Sequence, residues 1–223
     1  MRTRVKICGN KTIEDVNHAV VYGADAVGFI TEVPVKSPRK IDYKTAKYLI
    51  EQVPVFVDSV LVIMPEDLDS AMTLIAETRP SCVQIHNDLP NNELAIISKT
   101  FEVRLIKTIA VPEDASYTIV DHIVSRIDSL TGIADAILLD TSTGARSGGT
   151  GKVHDWGISA EIVQRSKLPV ILAGGLTPDN VYDAIRQVRP FAVDTASGVE
   201  TDGKRDHDKV RLFIKRCEEV DCD

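Results

Sequence analysis

Short apolar runs rich in β-branched residues alternate along the chain with segments in which apolar positions recur every three to four residues. The first pattern is typical of buried strands, and the second of helices that pack one face against a core. We therefore predict eight strands, each followed by helical sequence. The predicted strands, numbered in chain order, cover residues 4–7, 25–30, 55–64, 82–86, 103–109, 136–139, 170–173 and 191–193.

Capping residues and prolines predict where the helices begin and end. Thr12, with Asp15 three residues later, forms a capping-box pattern, and Gly23 is a helix stop. Pro65 and Pro178 are each predicted to occupy the first position of a helix, where proline is favoured, and Thr177 is predicted to cap the second of these helices. Further helices are predicted to begin near Asp42, after Pro90, after Pro112 and near Asp206.

Eight strand–helix units in 223 residues indicate the fold class. Strictly alternating units form a parallel sheet covered by helices, and eight of them in roughly 200–250 residues are typical of a closed barrel. We predict an α/β protein, a single-domain (β/α)8 TIM barrel over residues 1–223, because no stretch has the composition of a linker. An open, doubly wound sheet is the alternative.

Composition and charge narrow the class of protein. Hydrophobic residues make up 43% of the chain, as in ordinary globular domains. No apolar run is long enough to span a membrane, and the N-terminal residues lack the apolar region of a signal peptide. Basic residues number 26 against 33 acidic ones, a net charge of −7, with no basic stripe for nucleic acid. The four scattered cysteines are typical of a reducing compartment, so we expect a cytoplasmic protein that binds neither nucleic acid nor membrane.

Polar side chains stand at the ends of several predicted strands, where barrels of this type place their active sites. They are Cys8 after strand 1, His86 after strand 4, Asp140 after strand 6 and Asp194 at the end of strand 8. Cys8 is either a small buried hydrophobe or a thiolate that acts as base or nucleophile. Asp140 follows an apolar run where an isolated charge is costly, so it either serves catalysis or ligand binding or caps a loop.

Glycine-rich turns follow predicted strands 7 and 8. Gly174 and Gly175 precede a predicted helix, and Ser197 and Gly198 occupy a similar place after strand 8. Amide groups in such turns bind phosphate in barrels of this type. The two turns together favour a phosphate site over a purely structural role.

The connection after strand 6 contains three further candidates, Gly149, Gly151 and Lys152. It does not fit the spacing of a P-loop. We interpret it as a mobile lid with a cation that faces the ligand, and a solvated surface loop is the alternative. Arg39, after strand 2, is a candidate anion contact. The histidine spacings indicate no metal site, and we predict none.

The motifs at the strand ends are, as a set, similar to those of a known enzyme family. In chain order they are KICG (6–9), ADAVGF (24–29), SPR (37–39), QIH (84–86), LLDT (138–141), GGTGK (148–152), LAGGLTPDNV (172–181) and FAVDTASGVE (191–200). The chain closely resembles the phosphoribosylanthranilate isomerases of tryptophan biosynthesis over essentially its whole length. The resemblance implies a (β/α)8 barrel, a small-molecule substrate and an Amadori rearrangement without metal or cofactor.

The resemblance also implies a role for each candidate residue. Cys8 would be the general base and Asp140 the general acid, and Arg39 would face the anthranilate carboxylate. His86 and Asp194 would line the pocket. The implied phosphate cradle consists of Gly175, Ser197 and Gly198. A carboxylic acid that protonates the ribose ring oxygen and a thiolate that removes the C2 proton suffice for this reaction.

Three loops, after predicted strands 2, 3 and 4, depart from the family pattern, so the resemblance extends to the chemistry but not to substrate affinity or quaternary state. The nearest rival is the related isomerase of histidine synthesis, which relies on two aspartates, whereas here strand 1 is followed by Cys8. The sequence is also compatible with an enzyme that accepts both substrates, and with a non-catalytic barrel that binds a sugar phosphate. Both a monomer and a homodimer are compatible with a barrel of this size.

Overall fold

The computed structural model describes residues 2–142 and 153–221. These residues form eight parallel strands and eight helices that alternate along the chain. The strands are β1 (Arg4–Ile7), β2 (Ala26–Thr31), β3 (Asp58–Ile63), β4 (Cys82–Ile85), β5 (Arg104–Pro112), β6 (Ala136–Ser142), β7 (Val170–Leu172) and β8 (Ala192–Thr195). The helices are α1 (Ile13–Val21), α2 (Tyr43–Glu51), α3 (Leu68–Thr78), α4 (Asn91–Phe101), α5 (Ile119–Ser129), α6 (Trp156–Arg165), α7 (Val181–Val188) and α8 (His207–Asp221).

The strands close into a barrel in chain order. Each strand pairs in parallel with its sequence neighbours, and β1 pairs with both β2 and β8, so that Lys6 lies opposite Ala26 on one side and Asp194 on the other. A sheet whose first and last strands pair has no edge. The (β/α)8 prediction is therefore confirmed, and the open-sheet alternative is wrong.

Alternate side chains of each strand enter two different apolar layers. Val5 and Ile7 of β1 belong to the large cluster that packs against the helices, while Cys8, directly after this strand, belongs to a smaller cluster inside the barrel. This is the period of two expected for strands buried on both faces. The same alternation points Lys6 and Asp194 into the barrel interior.

The predicted third strand begins too early. β3 starts at Asp58 rather than at residue 55, and Val55 and Phe56 lie outside it at 82% and 101% exposure. A β-branched and aromatic run has the composition of a strand whether or not it is buried. The pattern therefore located the strand but not its first residue.

Two helices begin later than their prolines predicted. Pro65 precedes α3, which starts at Leu68 because the Asp67 side chain accepts a hydrogen bond from a main-chain N–H of the first turn at 2.8 Å. Pro178 lies in a turn, and α7 starts at Val181. In both places a side chain or a turn, rather than proline, determines the helix start.

The first helix has the predicted capping box. The Thr12 hydroxyl accepts from Asp15 N, and the Asp15 carboxylate accepts from Thr12 N. Two short features were not predicted. A two-residue strand, Lys40–Ile41, extends the sheet beside β2, and a hairpin pairs Glu200–Thr201 with Lys204–Arg205 after β8. Among the described helices, none is long and apolar enough to cross a membrane.

Candidate active site

Cys8 lies directly after β1 at the carboxyl-terminal end of the barrel and is buried. Its N–H donates to Thr195 O on β8 at 2.8 Å, and its carbonyl oxygen accepts from Arg205 Nη2 at 2.6 Å. The main chain on both sides of the thiol is therefore held by neighbouring elements. A fixed position is what a base that removes one specific proton requires.

A buried ion pair lies beside Cys8 in the barrel interior. Lys6 Nζ is 3.0 Å from Asp194 Oδ1, and both side chains are almost fully buried. Burial alone would lower the pKa of Lys6, but the Asp194 carboxylate and the Cys8 thiol together raise it above its usual value. Lys6 is thus a permanent cation next to Cys8. Sequence reasoning did not select Lys6, although its position two residues before Cys8 on a strand places both side chains on the interior face.

Burial and the neighbouring charges shift the pKa of the Cys8 thiol in opposite directions. Burial raises its pKa, since a thiolate loses hydration there, whereas the Lys6 ammonium lowers it and the Asp194 carboxylate raises it further. The net direction is upward. The thiolate is consequently scarce but strongly basic, and a cation placed nearby would favour it.

Asp140, on β6, and His86, directly after β4, lie close to each other. Asp140 lies within β6 rather than after it, at 5% exposure, because that strand continues to Ser142. His86 Nε2 is 3.7 Å from Asp140 Oδ2. Burial, followed by the positive charges of Lys107 and Lys6, lowers the pKa of His86 to about 4, so its imidazole is neutral at pH 7. The buried Asp140 carboxyl thus lies beside a neutral imidazole.

Arg39 reaches the site but already has a partner. Its Nε and Nη2 donate to the two carboxylate oxygens of Glu200 at 2.8 and 2.7 Å, a bidentate pair that is largely buried. The side chain packs over Gly9, next to Cys8. A substrate carboxylate would therefore approach Arg39 through Nη1, with Glu200 holding the guanidinium plane in place.

The two glycine-rich turns meet at the carboxyl-terminal ends of β7 and β8. Thr195 Oγ1 donates to Leu176 O at 2.8 Å, and the same carbonyl would clash with a Cβ at Gly198. Only glycine allows the turns to approach this closely. Gly174 and Gly175 both have positive φ, and Ser197 begins a 3-10 helix, Ser197–Val199. The turns thus lie against each other at this end of the barrel, and main-chain amides of such turns can bind an anion.

The remaining sequence candidates have mixed outcomes. Gly149, Gly151 and Lys152 lie outside the described residues. His154 is buried, with Nδ1 2.8 Å from Thr141 Oγ1 and Nε2 2.5 Å from Ser159 Oγ, so both of its ring nitrogens have a partner within the fold. Among the described residues, three side chains with metal-ligand spacing come together in one group, which lies in the helical layer outside this site.

Comparisons with known proteins converge on one family. A family model described as N-(5'phosphoribosyl)anthranilate (PRA) isomerase matches residues 5–216. An N-(5'-phosphoribosyl)anthranilate isomerase of Methanosarcina acetivorans is 52% identical over 100% of this chain and 94% of its own length.

Solved structures of the same family have the same fold. One is a phosphoribosyl anthranilate isomerase in complex with reduced 1-(o-carboxyphenylamino)-1-deoxyribulose 5-phosphate; it is 33% identical, with a TM-score of 0.80 over 97% of this chain and 99% of that one. Another, from Thermotoga maritima, is described as mutually generated monomers of a dimeric phosphoribosylanthranilate isomerase. It is 32% identical, with a TM-score of 0.81 over the same shares of the two chains.

Proposed function

The chain belongs to the N-(5'-phosphoribosyl)anthranilate isomerase family, and we propose that Asp140 and Cys8 catalyse its reaction as general acid and general base. The protein is an isomerase of tryptophan biosynthesis that converts phosphoribosylanthranilate into 1-(o-carboxyphenylamino)-1-deoxyribulose 5-phosphate. The observation that carries the assignment of roles is the placement of a buried carboxyl and a buried thiol at the same end of one barrel.

The first step opens the ribose ring. Asp140 donates its proton to the ring oxygen while the anthranilate nitrogen forms a double bond to C1, which gives an iminium cation and an Asp140 carboxylate. His86, neutral at pH 7, lies beside Asp140 and lines this side of the pocket. This step requires the Asp140 carboxyl to be protonated at the start.

The second step removes the C2 proton. The iminium group makes this proton acidic, and the Cys8 thiolate takes it, so that the electron pair of the C–H bond forms the C1–C2 double bond of an enolamine. The positive charge of the iminium lowers the pKa of the Cys8 thiol, as the Lys6 ammonium does, and so stabilises the thiolate in the step that needs a base. The enolamine then tautomerises: C1 gains a proton and the C2 hydroxyl loses one.

Binding groups surround this pair of residues. Arg39, held by Glu200, takes the anthranilate carboxylate, and the ion pair of Lys6 and Asp194 forms part of the polar floor. The phosphate occupies the cradle formed by Gly174, Gly175, Ser197 and Gly198. Remote contacts of this kind orient a substrate for attack at its reacting carbon.

A fluorescence assay tests the reaction and both roles. Phosphoribosylanthranilate is generated in situ from anthranilate and phosphoribosyl pyrophosphate by a separate transferase, and its loss of fluorescence is followed. We expect turnover by the wild type and a loss of about 10²–10⁴-fold in Cys8→Ser and in Asp140→Asn. Asp69→Asn, an exposed change on α3, is the control and should keep the wild-type rate. Turnover only of the aminoimidazole substrate of histidine synthesis, or of neither substrate, would contradict the proposal.

A homodimer and a cytoplasmic location complete the proposal. Phe56, fully exposed beside Val55, adopts a positive φ that is unusual for a bulky side chain, and it projects from the loop before β3. An apolar projection of this kind fits a second copy of the chain. We expect Phe56→Asp to sediment as a monomer while Val21→Asp, exposed on α1, keeps the wild-type dimer; a monomeric wild type would contradict this. The cysteines of the described residues are free, which supports a reducing compartment.

A further inference from the structure

A group of three potential metal ligands lies in the outer helical layer, on the helices that follow β1 and β8. Glu14 and His18 are on α1, and His207 is the first residue of α8. One ligand atom from each of the three side chains lies within 4.8 Å of the other two. Glu14 and His18 are four residues apart on a helix, which places them on one face.

The geometry points to a binding site for Zn²⁺, or a similar divalent transition metal, formed by Glu14, His18 and His207. Tetrahedral zinc with bonds of about 2.0–2.2 Å holds its ligand atoms about 3.4 Å apart. The ligand atoms of the three side chains already lie within 4.8 Å of one another, and Glu14 is exposed and therefore free to rotate towards an ion. Two imidazoles and one carboxylate are a donor set that zinc accepts, with water as the fourth ligand.

His18 supplies a second, independent observation. Its Nδ1 is buried, yet it has no hydrogen-bond partner among the described residues. A buried nitrogen of this kind normally finds a donor or acceptor, because leaving it unpaired costs free energy. A metal ion would satisfy it. The imidazole also contacts the ring of His207, with a centroid separation of 3.8 Å, so the two histidines are direct neighbours.

The neighbouring charges suit a cation. Asp15 Oδ1 lies 3.4 Å from His207 Nε2, and the other Asp15 oxygen accepts the main-chain bonds of the α1 cap. A carboxylate that accepts from one imidazole nitrogen leaves the other nitrogen with a lone pair for a metal, and such pairs are common around zinc. Glu14 and Asp15 together bring two negative charges. The positive charge of Arg205 helps to lower the pKa of Asp15, but the Arg205 guanidinium already donates hydrogen bonds to two main-chain carbonyls.

An ion at this position would join the first helix of the barrel to the last. α1 and α8 are neighbours only because the barrel closes, so a ligand set shared between them exists only in the folded chain. Metal binding to such a set stabilises the folded state by mass action.

Isothermal titration of the chelator-treated, dialysed protein with ZnCl₂ tests the site. We expect one equivalent to bind to the wild type and to His122→Gln, a matched change of an exposed histidine on α5. Binding is expected to be lost in His18→Gln and in His207→Gln and to weaken at least about tenfold in Glu14→Gln. Circular dichroism verifies that each variant is folded, and Co²⁺ in place of Zn²⁺ reports tetrahedral ligation by its visible absorption.

A stability measurement gives a readout that does not depend on isomerase activity. At a free Zn²⁺ concentration 100 times its Kd, the Tm of the wild type should rise by roughly 5–10 °C, and that of folded Glu14→Gln, at the same concentration, by clearly less. Absence of binding at millimolar zinc would overturn the proposal. So would one equivalent that persists in His18→Gln and His207→Gln, because the ion would then lie elsewhere, for example at Cys8 and His86.

Discussion

Replacement of Lys6 by Met tests whether the buried ion pair supports the fold. The variant removes the ammonium and leaves the Asp194 carboxylate buried without the cation that lies 3.0 Å from its Oδ1. Removal of one partner of a buried pair costs about 3–5 kcal/mol, because the other charge stays uncompensated. In a chain of this size each kcal/mol lowers the Tm by roughly 2–4 °C, so we expect a drop of about 6–20 °C.

The same variant should alter catalysis through Cys8. The Lys6 charge favours the thiolate against the burial that raises the pKa of Cys8, so its loss moves the rising limb of the pH–rate profile to higher pH. The double variant Lys6→Met, Asp194→Asn removes both charges and should recover most of the Tm, but not the activity at pH 7. Scanning calorimetry and the fluorescence assay measure the two effects. A Tm within about 2 °C of the wild type in Lys6→Met, or an unchanged pH profile, would refute the reasoning.

Three further variants test the phosphate cradle, the buried histidine and the carboxylate contact. Gly198→Ala should raise the KM about 10- to 100-fold, because the new Cβ would meet Leu176 O and displace the turn. The control Gly203→Ala strains a backbone of positive φ, but its Cβ would touch no neighbouring atom, so the KM should stay unchanged. Burial lowers the pKa of His154 to about 4, so the unfolded chain binds this proton at a higher pH than the folded one does. Between pH 7 and pH 5 the wild type should therefore lose about 2 kcal/mol of unfolding free energy, measured in urea, through this residue. His154→Gln should lose correspondingly less, and an equal loss would contradict this. Arg39→Lys, which cannot form the bidentate pair, should raise the KM more than it lowers kcat, whereas Arg104→Lys in an exposed pair should change neither.

The barrel could be predicted because its signal is repeated. Eight apolar runs at similar spacing reinforce one another, so an error in any one of them leaves the fold unchanged. Individual boundaries have no such support. Phe56 belongs to a run with the composition of a strand but lies outside the sheet, and Pro65 precedes a helix that an aspartate caps instead.

Only part of the site could be read from the sequence. Cys8 stands out because it is a polar residue at a strand end, and Asp140 because it follows an apolar run. Glu200 could not be found in this way, since its pair with Arg39 joins positions 161 residues apart. The group of Glu14, His18 and His207 was missed for the same reason. The spacing of Glu14 and His18 on one helix is visible in the sequence, but His207 lies beside them only because the barrel closes.

Removal of the C2 proton by Cys8 is tested most directly by single-turnover kinetics with phosphoribosylanthranilate that carries deuterium at ribose C2. Excess enzyme isolates the chemical step from product release. We predict a slower turnover of the deuterated substrate by the wild type and a loss of about 10²–10⁴-fold in Cys8→Ser. A Cys8→Ser variant that is folded and turns over the substrate at the wild-type rate would show that another group takes the proton.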